Sequence, residues 1–212
     1  ADKRPARSAK PTKHEKIMDG RHSQHGFTLI ELLVTLSVVA ILASMATPSF
    51  SSLINTNRLA SQANDLVGAL MLARSEAIRL NQRVVFCRSD DGATCSTASG
   101  NWAGWLIFVD ANGNDTPDAS ETLRIGSLTG GVTTVQSSQA IAGQNNRIRI
   151  GSDGFARTSA SSSSALLLAK LSVCIATTTP PNNNREIRIV AGGRPMVFPV
   201  NNSGACPTPG NS

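Results

Sequence analysis

Three patterns of apolar and polar positions follow one another along the chain. From Phe27 to Ala46 a run of 20 residues carries one charge, Glu31, among Leu, Ile, Val and Ala. A helix rises ~1.5 Å per residue, so such a run covers about 30 Å, the hydrocarbon thickness of a bilayer. Beyond Pro48 the pattern becomes amphipathic. Leu59, Ala63, Leu66, Leu70, Ala73, Ala77 and Leu80 recur at alternating spacings of 4 and 3, one apolar stripe down a helix. Arg58, Gln62, Asp65, Arg79 and Gln82 fall off that stripe. Pro48 is expected to bend or locally melt the helix without ending it, because the pattern resumes. The stripe suits a free coiled coil or a sheet of the same chain, and its many alanines favour close approach to a sheet.

After Arg83 the period shortens. Val84–Cys87 reads as a strand, Arg88–Thr94 as a polar turn closed by Cys95, and Asn101–Asp110 as a strand with turn residues before it. Trp102 and Trp105 read as packing residues. Glu121–Ile125 is a further strand. From Leu128 onward short apolar segments alternate with Gly, Ser and Asn. Arg147–Ile150 alternates with two Arg on one face, Asp153-Gly154 turns, Ser159–Ser164 is a low-complexity loop, and Leu166–Ile175 is a strand. Pro180–Asn184 reads as a loop, and Glu186–Val190 and Met196–Val200 as strands joined by a turn at Gly192-Gly193. The expected fold is α+β: a long amino-terminal helix, half membrane-spanning and half amphipathic, packed on an antiparallel sheet or sandwich. The boundaries fall at 1–26, 27–47, 48–83 and 84–212.

Charge sharpens this picture. The formal net charge is +6, but residues 1–26 hold seven Lys and Arg against three Asp and Glu, and the other 186 residues hold 13 against 11. A basic stretch before an apolar helix stays on the cytoplasmic side, which places the bulk of the chain outside. A carboxylate near the start of the apolar run is costly in lipid unless something pairs with it, which argues against an ordinary anchor. A secretory signal would show a small-residue cleavage site after the run, and Ala43–Ala46 resembles one only weakly.

His14, His22 and His25 all lie in the first 26 residues, and there is no Tyr. The rest of the chain therefore lacks the commonest general base and metal ligand, and no Ser-His-Asp triad can form in it. No Walker loop, dinucleotide fingerprint or zinc spacing is present. The expectation is a non-enzymatic protein without a cofactor. Four cysteines on an oxidising side read as disulfides, and of the three possible pairings the loop lengths favour Cys87–Cys95 and Cys174–Cys206.

Two stretches hold candidate binding chemistry. In Asp110–Glu121 the residues Asp110, Asn112, Asn114, Thr116, Asp118 and Glu121 occupy positions 1, 3, 5, 7, 9 and 12 of a calcium loop. The sixth position, which should be Gly, is Asp115, and strands rather than helices flank it; an Asn-Gly hairpin turn accounts for the same residues. Residues 141–212 carry seven Lys and Arg against two Asp and Glu, with Arg147, Arg149, Arg157, Lys170, Arg185, Arg188 and Arg194 on the last strands and turns. Such a face suits DNA phosphates or is simply solvated.

Basic residues, then Gly26, then Phe-Thr-Leu-Ile-Glu and a long apolar run resemble the signal of type IV pilins and type II secretion pseudopilins. The wording MLARSEAIRLNQRV and Trp-x-Gly-Trp-x-x-Phe-x-Asp (Trp102–Asp110) resembles the GspH/FimT subgroup. The resemblance covers Gly26 to about Asp110 well and the carboxyl end loosely. It implies a cytoplasmic prepilin leader over 1–26, cleaved by a prepilin peptidase between Gly26 and Phe27, and N-methylation of Phe27. Met18 would begin a nine-residue leader, so residues 1–17 are expected to be upstream translation rather than a working tail. It also implies that Glu31 is satisfied by the amino terminus of a neighbouring subunit. The expected setting is the bacterial inner membrane, single-pass, with a periplasmic carboxyl-terminal head that joins other pilins in a filament or at its tip. Some relatives of this kind bind double-stranded DNA through a carboxyl-terminal Gly-Arg-x-Arg; here Gly193-Arg194-Pro195-Met196 lacks the second Arg, and Arg185 and Arg188 are the candidates to compensate. Structural pilus subunit, secretion pseudopilin, DNA receptor and singly anchored periplasmic module are the functions carried forward.

Overall fold

A computed structural model describes residues 26–118, 120–128, 131–159, 164–190 and 193–211. The expected leader up to residue 25, the centre of the Ser159–Ser164 loop and Gly192 lie outside them. Two compact units are present, Ala1–Ala43 and Ser44–Ser212. The elements are α1 (Leu29–Leu80), β1 (Val84–Arg88), β2 (Gly104–Val109), β3 (Thr122–Ser127), β4 (Thr133–Ser137), α2 (Gln139–Ala142), β5 (Arg147–Ile150), β6 (Ala156–Arg157), β7 (Ala169–Ile175), β8 (Asn184–Ile189) and β9 (Pro195–Val200). The class is α+β, with helix packed on antiparallel sheets.

Both ends of α1 are chemically specified. At the start, the Glu31 amide donates to Thr28 Oγ1 at 3.3 Å, one half of a Thr-x-x-Glu capping box. At the end, Asn81 takes a left-handed φ of 52°. The Asn81 amide bonds to the Ile78 carbonyl and the Gln82 amide to the Ala77 carbonyl, the paired bonds of a Schellman stop. Helix α1 continues past Pro48, as the resumed pattern predicts. The apolar stripe is buried as its spacing predicts: Leu59, Ala63, Leu66, Leu70, Ala73 and Ala77 are each at most 3% exposed, and Ala69 joins them. It packs within its own chain, not as a coiled coil. Each fully buried Leu contributes roughly 2 kcal/mol.

Two antiparallel sheets share the core with this stripe. Their orders are β3-β2-β1-β5-β6 and β4-β7-β8-β9. Val84, Phe86, Trp105, Ile107, Ile148 and Ile150 come from the first sheet, and Val135, Leu171, Val173, Ile187 and Ile189 from the second. Phe86 stacks between Trp102 and Trp105, with centroids 5.9 and 5.7 Å away. Trp105 registers with Gly126 of β3, and a Cβ there would overlap the indole.

The opposite face of the five-stranded sheet holds a smaller core of Val85, Cys87, Leu106 and Phe108, against which Cys95 packs. Cys95 lies in the loop between β1 and β2, bonded to Cys87, so this disulfide fastens a long loop over a sheet face and not the two strands of a tight hairpin. Arg88 tightens the same loop by donating to the Ala98 and Ser99 carbonyls. The second disulfide, Cys174–Cys206, ties the carboxyl-terminal segment to β7.

Strands β4 and β6 and the single-turn α2 were not legible as separate elements. At the other edge of the second sheet, β9 places Pro195, Val197 and Pro199 opposite Ile189, Ile187 and Arg185. Proline has no N–H, so these alternate positions point away from β8, and two of the three outward donors of that edge are missing.

Candidate functional site

The amino-terminal segment comes first because its physics is simplest. Phe27 is 82% exposed, and Leu29, Ile30, Leu32, Leu33, Val34, Leu36, Val38, Val39, Ile41 and Leu42 all stand open. Glu31 is exposed among them. Thr35 and Ser37 return their hydroxyls to the Leu32 and Leu33 carbonyls, so no polar side-chain group of theirs needs water. Helix α1 is long and apolar enough, by length and composition, to cross a membrane. Gly26 and Phe27 sit immediately before the helix, outside its first turn.

The Asp110–Glu121 loop is built differently from a calcium site. Asp110 has a fully buried side chain and is paired with Arg83, whose Nε donates to its Oδ2 at 2.9 Å. Asp115, the residue at the sixth position, adopts a left-handed φ of 61° and receives both Nε and Nη2 of Arg149, the latter at 2.6 Å. Arg147 Nε donates to the Asp115 carbonyl. Burial works to raise the Asp115 carboxyl, but Arg149, with Arg83 and Arg147, outweighs it and holds the pKa below the ordinary value. Asn112 donates to Asp118 at 2.9 Å, Asn114 accepts from the Thr116 amide, and Glu121 accepts from the Ala111 and Asp118 amides. Among the described residues no three His, Cys, Asp or Glu side chains are grouped to hold a metal. The cations of this loop are guanidinium groups. Arg147 and Arg149, legible in the sequence as two Arg on one face of a strand, were the signal for this pairing.

The basic carboxyl-terminal residues are divided between the two sheets. Arg185 and Arg188 lie three apart in β8, which puts them on opposite faces. Arg185 donates to the Asn182 and Asn184 carbonyls, and burial draws its pKa below the usual arginine value. Arg188 grips Glu186 at 2.8 Å and lies 4.4 Å over the Phe198 ring. Lys170 reaches the same Glu186 at 3.5 Å. Arg157 is held by Asp153 and by the Ser164 carbonyl. Arg194 alone of the seven, among the described residues, is exposed with no such partner. Counting positions along β8 would have separated Arg185 from Arg188.

An exposed apolar helix segment with one early carboxylate, joined in sequence to a helix-on-sheet head closed by two disulfides, is the arrangement of a pilin-like subunit. Residues 62–193 match the family described as Type II transport protein GspH, and residues 21–47 match the prokaryotic N-terminal methylation motif. The chain belongs to the GspH family. A pilin-like protein, PilA1, from Thermus thermophilus is 36% identical over 101 residues, which are 47% of this chain and 56% of that protein. The chain therefore spans little more than half the length of that relative. Two crystal forms of the type IV minor pilin FimU of Pseudomonas aeruginosa are each 20% identical. Their TM-scores are 0.48 and 0.45, and they cover 68% and 66% of this chain against 90% and 93% of FimU.

Proposed function

We propose that this chain is a minor pilin or pseudopilin, a structural rather than catalytic subunit of a type IV pilus or a type II secretion pseudopilus. The observation that carries the reading is the apolar surface from Phe27 to Leu42 with Glu31 as its single charge. So large an apolar surface is stable only in lipid or against similar helices. The basic residues before it hold the amino end in the cytoplasm and the head in the periplasm. A prepilin peptidase cuts between Gly26 and Phe27, and Phe27 is then N-methylated. In lipid the Glu31 carboxylate lacks a cation, at a cost of a few kcal/mol. In a filament the amino terminus of a neighbouring subunit supplies one, so assembly relieves the penalty. The long chain and elaborated head loops favour a role in priming or capping the filament over forming its bulk.

The test is co-expression of the full chain with a prepilin peptidase and partner pilins, followed by intact-mass analysis and filament isolation. Expected are a mass beginning at methylated Phe27, incorporation as a minor component, and loss of incorporation in Glu31→Ala with the disulfides still formed. Undiminished incorporation of Glu31→Ala would sink the charge-pair mechanism, and a filament composed mainly of this subunit would sink the priming role.

A further inference from the structure

Between the end of α1 and the β5–β6 turn lies a cavity of about 150 Å³ whose walls include Arg83, Arg149, Arg157, Gln82, Gly151 and Ser152. Three arginines and neutral polar residues line it, and among the described residues no acidic or apolar side chain does. The acids that balance these arginines, Asp110, Asp115 and Asp153, are not among the residues that line it. With Arg147, which also leans on Asp115, four guanidinium groups and three carboxylates meet here among the described residues. One donor is left over: Arg157 Nε is buried and has no hydrogen-bond partner. Buried N–H groups are nearly always satisfied, so an orphan donor calls for an acceptor such as an ion or a water. Gly151 borders that same nitrogen: a Cβ there would stand 3.8 Å from it and 2.8 Å from Asp153 Oδ1.

We propose that this cavity is a binding site for a small oxyanion of the phosphate and sulfate type. Tetrahedral oxyanions match it because they offer several acceptors at once to donors arriving from different directions, and planar guanidinium forks are the side chains best shaped to meet them. The ligand accepts from Arg157 Nε and is surrounded by the remaining positive excess. The site does not include Glu31 or Arg194, and it stands or falls independently of the filament role.

The full chain in detergent, at fixed ionic strength set with chloride, would be unfolded thermally with inorganic phosphate, with sulfate, or with a short DNA duplex at equal phosphate. The readout is the fluorescence of the buried Trp102 and Trp105. Expected is a midpoint that rises with phosphate and sulfate concentration. Ser152→Glu changes an exposed position and sets a competing carboxylate at the cavity mouth. It should hold or raise the midpoint in chloride while weakening the response to phosphate about tenfold. Arg157→Gln should abolish that response. No response to either free oxyanion, or a response equal in Ser152→Glu, would overturn the proposal and leave the cavity to water. Stabilisation by the duplex with the free ions silent would overturn it too, since the phosphate recognised would then be that of a polynucleotide.

Discussion

Asp110 shows how much a single side chain decides in this head. It is the last residue before the loop, its side chain is fully buried, and Arg83 is its counter-ion. Removing one partner of a buried pair strands the other charge, so Asp110→Ala should cost about 3–5 kcal/mol in chemical denaturation. Asp115 governs the same loop through a different variable. Its pKa is held below the unfolded value by its arginines, despite burial. A depressed carboxylate contributes stability that is complete above the unfolded pKa of about 4 and is lost as pH falls through the lower, folded value. Acid titration of the folded chain should therefore release the loop at a pH below about 4, and Asp115→Asn should remove that part of the acid dependence. These residues were visible in the sequence as a calcium-like spacing, but the chemistry was not. The spacing records where oxygens stand along a loop and says nothing of which strand faces it. Only the pairing of β5 with β1 brings Arg149 beside Val85 and so onto the face that receives Asp115.

The helix and strands were more legible than their contacts. The stripe from Leu59 to Ala77 gave the buried face of α1, with Leu80 only partly buried and Ala69 added, because a 3.6-residue period leaves only one apolar surface. Its alanines share one buried core with both sheets, and Ala73 is 0% exposed. Ala73→Leu should overpack that contact and lower stability by about 1–3 kcal/mol, measured as a fall in the thermal midpoint. Strands with alternating or continuous apolar runs were found, while β4 (Thr-Thr-Val-Gln-Ser) has one strongly apolar residue and gave no signal. The tail is a different case. Cys174 and Cys206 are 32 residues apart, and joining them removes unfolded-state freedom from a loop of that size. Replacing both by Ser should cost about 2–4 kcal/mol and raise protease sensitivity in the segment after β9.

As a whole, the molecule devotes most of its basic carboxyl-terminal residues to itself. Arg147, Arg149, Arg157, Lys170, Arg185 and Arg188 are all engaged by acids or carbonyls of the same chain. A duplex would have to break those contacts to gain its own. The full chain should therefore leave double-stranded DNA unshifted in a mobility assay at about 0.15 M salt, where non-specific phosphate contacts are weak. A retained complex that Arg194→Ala abolishes would restore DNA reception as the function. That the last strands are basic was plain from their letters; that the charges are spent internally follows from register, which no count of Lys and Arg contains.

The prolines of β9 gain their meaning in the proposed setting. Subunits that share a membrane and then a filament are held side by side at high local density, with their helices drawn together by lipid and by like surfaces. Under such crowding an unpaired strand edge would let one head template the next, and growth would proceed sheet to sheet with no regard for the helices. Pro195 and Pro199 deny that edge most of its donors. The head is thus a passenger that cannot polymerise along this edge, and the order of subunits is left to the helices and to surfaces that recognise a particular neighbour.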